Sequence, residues 1–424
     1  MTLDQAKRCG LYLLVFLLPW QTRWIAYDPP LFGDVWEYGR VSVYSWDLVL
    51  VALALLSLGA LRREFIDLFK TSRAFQAYVL LTAMAFISSW AAPKPYLVSY
   101  WGLRLMEGGV LWLLVRAVKP KFEHVLWALA LAGSLQAIWG LGQFAFQATF
   151  ASKWLGVAAH PVETAGTSVL LNEGGRWLRA YAGQVHPNVL GGLLVITMLA
   201  TTLLLSKTSS RAGRYALVIL YILQAGGLFV AFSRAGWLAL AVSLVAWWVG
   251  EHSLRSSAMH VAIITAAVFV VFGSILWEPT KARLIGAPAS RLEQQAVEER
   301  VTGIKESQTI TKVAWWRGVG LGNYTKALAQ RTPGLRAYRY QPVHNLFLLV
   351  LAELGVLGLA ALVWLFKERF VSSVARAWLW LPPILLPAFF DHYWWTSASM
   401  LLLFWLIVSL SDLEHFTSTL PEGT

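Results

Sequence analysis

Apolar runs of the ~20 residues needed to cross a bilayer recur along the whole chain, separated by polar connections. They predict about twelve spans, beginning near Leu11, Val43, Ala74, Tyr96, His124, Asn188, Tyr215, Gly236, Ala258, Val343, Val374 and Thr396. Most connections are short, as in helices packed side by side. Two are long: about Thr149–Pro187 and about Glu278–Pro342. An open sheet leaves backbone groups unpaired in lipid, so the pattern predicts an all-α polytopic membrane protein. Three parts follow: residues 1–277 with nine spans and the first long loop, 278–342 as a large loop, and 343–424 with the last three spans.

Composition agrees. The 424 residues are 57% hydrophobic and 14% charged, against about 25% charged in a soluble domain. The 23 tryptophans and 14 tyrosines suit aromatic belts at two interfaces. Cys9 is the sole cysteine, which excludes an internal disulfide and a cysteine-based zinc cluster. Lys7 and Arg8 precede Leu11 with no small-residue cleavage site after them, so an uncleaved first helix is expected.

Charge in short loops sets orientation. Alternate connections collect Lys7, Arg8, Arg62, Arg63, Lys70, Arg73, Arg116, Lys119, Lys121, Lys207, Arg211, Arg214, Arg255, Lys367, Arg369 and Arg376 on one side. The short connections opposite hold Arg23, Arg40, Lys94 and Arg234. Sixteen against four puts both termini in the cytoplasm and both long loops outside it. The last loop nevertheless carries eleven Lys/Arg against five acids between Glu278 and Pro342. It is either a solvated basic loop or a funnel for an anionic lipid-borne substrate. Most of the remaining excess in the net charge of +12 belongs to the inner loops, so nucleic-acid binding is not indicated. No Walker loop, G-x-G-x-x-G, H-E-x-x-H or Cys/His metal pattern occurs, which argues against ATP-driven transport, cytoplasmic nucleotide-sugar chemistry and zinc proteolysis.

Candidate chemistry collects on the outer side. His344, in Gln341-Pro342-Val343-His344-Asn345, stands at the mouth of an apolar helix just after the basic loop. It is either a helix-entry residue capped by Asn345 or a general base for an acceptor hydroxyl, a task suited to imidazole near neutral pH. Glu353, nine residues on, falls off the His344 face and reads as structural. Arg234, in Ser233-Arg234-Ala235-Gly236, either snorkels or holds a phosphate in a bidentate fork. Arg300 is one of the eleven loop cations, and Gly318–Tyr324 is a glycine-dense turn that either nests an anion or aims the loop at His344. His186-Pro187-Asn188 repeats the helix-entry histidine, with Arg176 and Arg179 before it, and Pro187 suits a first helical turn. Asp391-His392 closes another outer turn and is placed to orient an active-site group. Arg104 and Glu107 are spaced to pair. Asp28, Asp34 and Glu37 keep a metal-dependent transferase in play as a rival.

In order, His186-Pro187-Asn188, Ser233-Arg234-Ala235-Gly236-Trp237, the Arg300 to Gly322-Asn323-Tyr324 stretch, and His344-Asn345 with Glu353-Leu354-Gly355 resemble the O-antigen ligase/O-antigen polymerase family of bacterial membrane glycosyltransferases. The resemblance implies a mostly helical GT-C-like fold in the inner membrane with a periplasmic active site. It implies an inverting transfer from undecaprenyl pyrophosphate without metal, nucleotide sugar or other cofactor, and, in ligases, a lipid A–core acceptor. It implies that His344 activates the acceptor and that Arg234 and Arg300 clamp the pyrophosphate. His186 and Asn345 would also meet substrate, and Arg179, Asn188, Tyr324 and Asp391 would support the site. A polymerase lengthening carrier-linked repeats shares this chemistry. A lipid-linked glycan transporter, the remaining alternative, would instead line a continuous path with charge.

Overall fold

Among the residues that the computed structural model describes (2–164, 166–172, 175–284, 291–372, 376–410 and 412–413), the chain is built almost wholly of helices. Arg73–Ala91, Phe122–Phe146, Pro187–Lys207, Arg211–Val230, His252–Ile275 and Leu346–Val371 are long and apolar enough to cross a membrane. Ser45–Leu55, Arg234–Gly250, Trp378–Phe390 and Ala398–Leu410 are shorter apolar helices. Pro95–Val118 is also long but is marked by Arg104, Glu107 and Arg116. The expected start at Val374 lies outside the described residues.

Pro187–Lys207 is buried along nearly its whole length and packs against Phe122–Phe146, Arg211–Val230 and Arg234–Gly250. Small residues let these helices approach. A Cβ on Gly227 would stand 2.7 Å from the Ala137 Cβ, and one on Gly191 would stand 2.6 Å from the Ser233 Cβ.

Two features depart from the simple span pattern. The run from Val43 forms only the eleven-residue helix Ser45–Leu55, followed by Leu58–Thr71. That second helix turns Leu61 and Leu68 inward and Arg62, Arg63 and Lys70 outward, so its charge keeps it at an interface. Three short antiparallel hairpins also interrupt the helices: Arg23–Tyr27 with Val41–Tyr44, Pro30–Leu31 with Asp34–Val35, and Val169–Asn172 with Gly175–Leu178. The first pair is rich in aromatic and β-branched residues, which fit a pleated surface.

Contacts sort the connections into two ends. At one end Gln184 Nε2 donates to Pro19 O (2.7 Å), Lys94 N to Asn323 Oδ1 (2.8 Å), Trp36 Nε1 to Thr325 Oγ1 (3.1 Å) and Ala180 N to Val230 O (3.1 Å). At the other, Lys121 N donates to Tyr12 Oη (2.9 Å), Arg116 pairs with Glu64 (2.8 Å) and Arg369 with Asp412 (2.9 Å). Arg104 pairs with Glu107 as spaced (2.7 Å), and also with Asp47 (2.6 Å), which neutralises a buried guanidinium.

The helix Leu346–Phe366 is broken at Gly355, whose φ of 71° and ψ of −173° leave the helical region. The freed backbone groups are met by the glycine-dense turn. Val319 N donates to Ala352 O and Gly320 N to Glu353 O, both at 2.9 Å, while Val356 N donates to Trp315 O at 2.8 Å. Irregular backbone at this depth is tolerated because the loop satisfies it. Glu353 sits at the break, buried, accepting from Trp395 Nε1 (2.9 Å) and Tyr324 N (3.4 Å).

Candidate active site

Arg234 is the first residue of Arg234–Gly250 and its side chain is exposed. The turn before it is held with unusual force. Phe232 adopts a left-handed φ of 47°, which costs roughly 1–2 kcal/mol in a residue with a Cβ. Its carbonyl accepts from Arg283 Nε (2.9 Å) and from an Arg179 terminal nitrogen (3.2 Å), and Arg179 Nε also donates to Ala231 O (3.0 Å). Both arginines are buried. Hydrogen bonds from a charged donor are worth about 1.5–3 kcal/mol each, enough to outweigh the strain. Ser233 then caps the new helix by accepting from Gly236 N (3.3 Å).

Arg179 reaches in a second direction. Its guanidinium donates to Asn188 Oδ1 (2.8 Å), and Asn188 Nδ2 donates to Asp391 Oδ2 (3.0 Å). The other carboxylate oxygen, Oδ1, accepts from His392 N (2.8 Å) and stands 3.7 Å from His344 Nδ1. The His344 and His392 rings lie 5.2 Å apart, and His392 Nδ1 meets Thr396 Oγ1 at 2.7 Å. His186 caps its own helix, with Nδ1 accepting from Asn188 N (3.1 Å). Helix entries and turns from three separated parts of the chain thus converge on one carboxylate.

Electrostatics assign the protons. Burial, helped by the Arg179 charge, pushes His186 down to about 3, and burial pushes His392 down to about 4, so both rings are neutral at pH 7. Burial raises the Asp391 carboxyl, but His344 and the neighbouring His392 and His186 rings outweigh it and hold it well below the usual carboxylate range. Asp391 is therefore an anion facing His344. His344 Nδ1 is buried and has no hydrogen-bond partner among the described residues, while the side chain keeps 27% exposure. The accessible edge is therefore the Nε2 edge. A carboxylate beside Nδ1 favours the proton there and leaves the Nε2 lone pair facing outward, the tautomer of a general base.

Arg300, half-buried on the helix Arg291–Ala314, lies one turn before Gly303. A Cβ on Gly303 would stand 3.9 Å from the Cα of Val343, so this helix rests against the residue preceding His344. Tyr324 Oη contacts Gly303 O (3.5 Å). Tyr324, Tyr38, Pro342, Glu353, Trp395 and Thr396 border a cavity of about 20 Å³, room for about one water beside the histidine cluster. Asn345 is engaged structurally: it accepts from Leu348 N (3.0 Å) and donates to Phe389 O (3.2 Å). Two acids of the metal-dependent rival are held by cations, Asp28 by Arg40 (2.8 Å) and Asp34 by Arg336 (3.5 Å). Among the described residues the metal-capable grouping is instead His344, Asp391 and His392. No spacing rule announced it, because His344 lies 47 positions before Asp391. Arg283 gave no signal either, being one cation among eleven.

No curated protein matches the chain. Residues 216–363 run from the helix that leads into the Arg234 turn, through the basic loop, and past the break in the helix that His344 opens. That stretch matches the family model described as O-antigen ligase, which supports the resemblance to the O-antigen ligase/polymerase family.

Proposed function

We propose that this membrane protein is an O-antigen ligase that moves a polysaccharide from undecaprenyl pyrophosphate to lipid A–core at the periplasmic face of the inner membrane. The family match supports O-antigen ligase or polymerase activity in general, hence a glycosyltransferase-type enzyme on lipid-linked substrates. The observation that carries the finer reading is the pairing of His344 Nδ1 with the Asp391 anion at a helix mouth, with the other ring edge accessible. In this reading Nε2 takes the proton from an acceptor hydroxyl. The hydroxyl oxygen bonds to the anomeric carbon with inversion, and the carbon–oxygen bond to the pyrophosphate breaks. Arg234 and Arg300 bind the departing pyrophosphate, where fixed cations stabilise the charge that develops. Asp391 stabilises the imidazolium, and Asn188 and Arg179 hold Asp391.

The charge bias supports both termini in the cytoplasm, and the 278–342 loop is read as the periplasmic part that carries Arg300. The test uses purified protein in detergent with carrier-linked glycan, lipid A–core and EDTA. Glycosylated lipid A–core that disappears in folded His344→Ala and Arg234→Ala variants is the expected result. Lengthening of the carrier-linked glycan without acceptor would replace ligase by polymerase. Absence of any bond chemistry would make the protein a transporter.

A further inference from the structure

We infer that His344, Asp391 and His392 form a binding site for a transition-metal ion of the Zn²⁺ class, and that occupation of this site blocks transfer. The first clause stands on geometry alone; the second rests on His344 being the base.

Each residue offers one ligand atom, and the three atoms lie within 4.8 Å of one another. Asp391 Oδ1 is 3.7 Å from His344 Nδ1 and 4.0 Å from His392 Nε2. A tetrahedral ion with bonds of about 2.0–2.1 Å separates its ligands by about 3.4 Å, so the set needs a contraction of less than about 1.5 Å at its widest pair. Two imidazoles and a carboxylate suit Zn²⁺, Cu²⁺ or Ni²⁺ rather than Mg²⁺ or Ca²⁺.

The surrounding partners are those such a site requires. His392 Nδ1 is taken by Thr396 Oγ1 at 2.7 Å, which turns Nε2 toward Asp391. Asp391 Oδ2 is taken by Asn188 at 3.0 Å, and Oδ1, which accepts from His392 N at 2.8 Å, keeps a second lone pair for the ion. Outer partners of this kind fix ligand orientation and are worth 10- to 100-fold in metal affinity. His344 Nδ1 is buried and faces Asp391 Oδ1 at 3.7 Å, beyond an ordinary hydrogen bond, so an ion between them replaces a long ion-pair contact with two ligand bonds.

Occupation has a chemical consequence. A metal on Nδ1 uses that nitrogen's lone pair, and the ring's single proton moves to Nε2. The atom that accepts the acceptor's proton is then already protonated. The ion removes the base without touching the arginines.

The experiment titrates Co²⁺, then competing Zn²⁺, into the intact protein in detergent, following visible absorption and transfer on the same samples. We expect one Co²⁺ per chain with bands of low-coordinate ligation, displaced by Zn²⁺ and abolished in His392→Ala. Thr396→Val keeps all three ligands and loses only the outer partner, so it weakens Co²⁺ binding 10- to 100-fold and keeps the site testable should His392→Ala not fold. Transfer falls in step with occupancy and returns with EDTA. No bands at millimolar Co²⁺, or bands unchanged in both variants, would overturn the site. Binding with transfer unchanged or increased would overturn the block. Binding by a protein that transfers no glycan in EDTA would sink the ligase reading alone and uphold the site.

Discussion

Asn188 and Asp391, 203 positions apart, are joined by a 3.0 Å hydrogen bond that ties the entry of one buried helix to the turn facing His344. Because Asn188 also accepts from Arg179, its amide is fixed in orientation, with oxygen toward the cation and nitrogen toward the anion. Asn188→Ala removes a donor to an ionised carboxylate, an interaction worth about 1.5–3 kcal/mol. We expect turnover at saturating donor to fall about 10- to 100-fold, with the donor KM within a few-fold of wild type. Steady-state transfer kinetics decide it, and an unchanged turnover would show that Asp391 holds its place without Asn188.

The Phe232 turn predicts a different signature for Arg283. Arg283 meets Phe232 O, while Arg234, two residues on, opens the next helix. Arg283→Ala leaves that carbonyl to Arg179 and loosens a strained turn, so it destabilises by about 1–3 kcal/mol. It also raises the KM for the pyrophosphate-linked donor more than it lowers turnover, because Arg234 loses its aim rather than its charge. Thermal unfolding in detergent and a donor titration measure the two effects. A donor KM equal to wild type would separate Arg283 from donor binding.

Acid lability follows from the two buried imidazoles. His186 and His392 have folded-state values depressed to about 3 and about 4, below an unfolded histidine near 6.5. Between those limits the unfolded chain binds more protons, so stability falls as pH drops from about 6.5 toward 4. Asp391, also depressed, adds its own loss once pH passes below the ordinary carboxylate value near 4. We expect the melting temperature to decline through this window and the decline to be shallower in His392→Asn. A melting temperature flat from pH 7 to 4.5 would contradict neutral, buried rings.

The helix entries at His186 and His344, the Ser233-Arg234 turn and the Asp391-His392 turn were legible because each is a polar residue at the edge of an apolar run. The resemblance that the family model supports was legible from the same motifs. What joins them was not. Arg179 and Arg283 act on backbone carbonyls, and a carbonyl has no residue identity to read. The His344–Asp391–His392 grouping depends on helix packing, which periodicity does not specify. The hairpins were masked for a related reason, since Arg23–Tyr27 lies between two strongly apolar helices and its alternation spans only five residues.

The break at Gly355 makes the sharpest stability prediction. Its φ of 71° with ψ of −173° is open essentially to glycine, and an added Cβ would fall against the carbonyl of Trp316. Gly355→Ala therefore faces both conformational strain and a collision with backbone that cannot rotate away. The chain can relieve both only by straightening the helix, and a straight helix strips Val319 N and Gly320 N of their acceptors. That turn leads to Tyr324, which touches the helix bearing Arg300. We expect Gly355→Ala to cost more than about 2 kcal/mol and to lower transfer beyond what its folded fraction explains. Gly273→Ala, in the span His252–Ile275, meets nothing nearer than 3.9 Å and is expected to stay close to wild type. Detergent melting curves with transfer rates normalised to folded protein compare the pair, and equal effects at both positions would mean that the break itself does not position the loop.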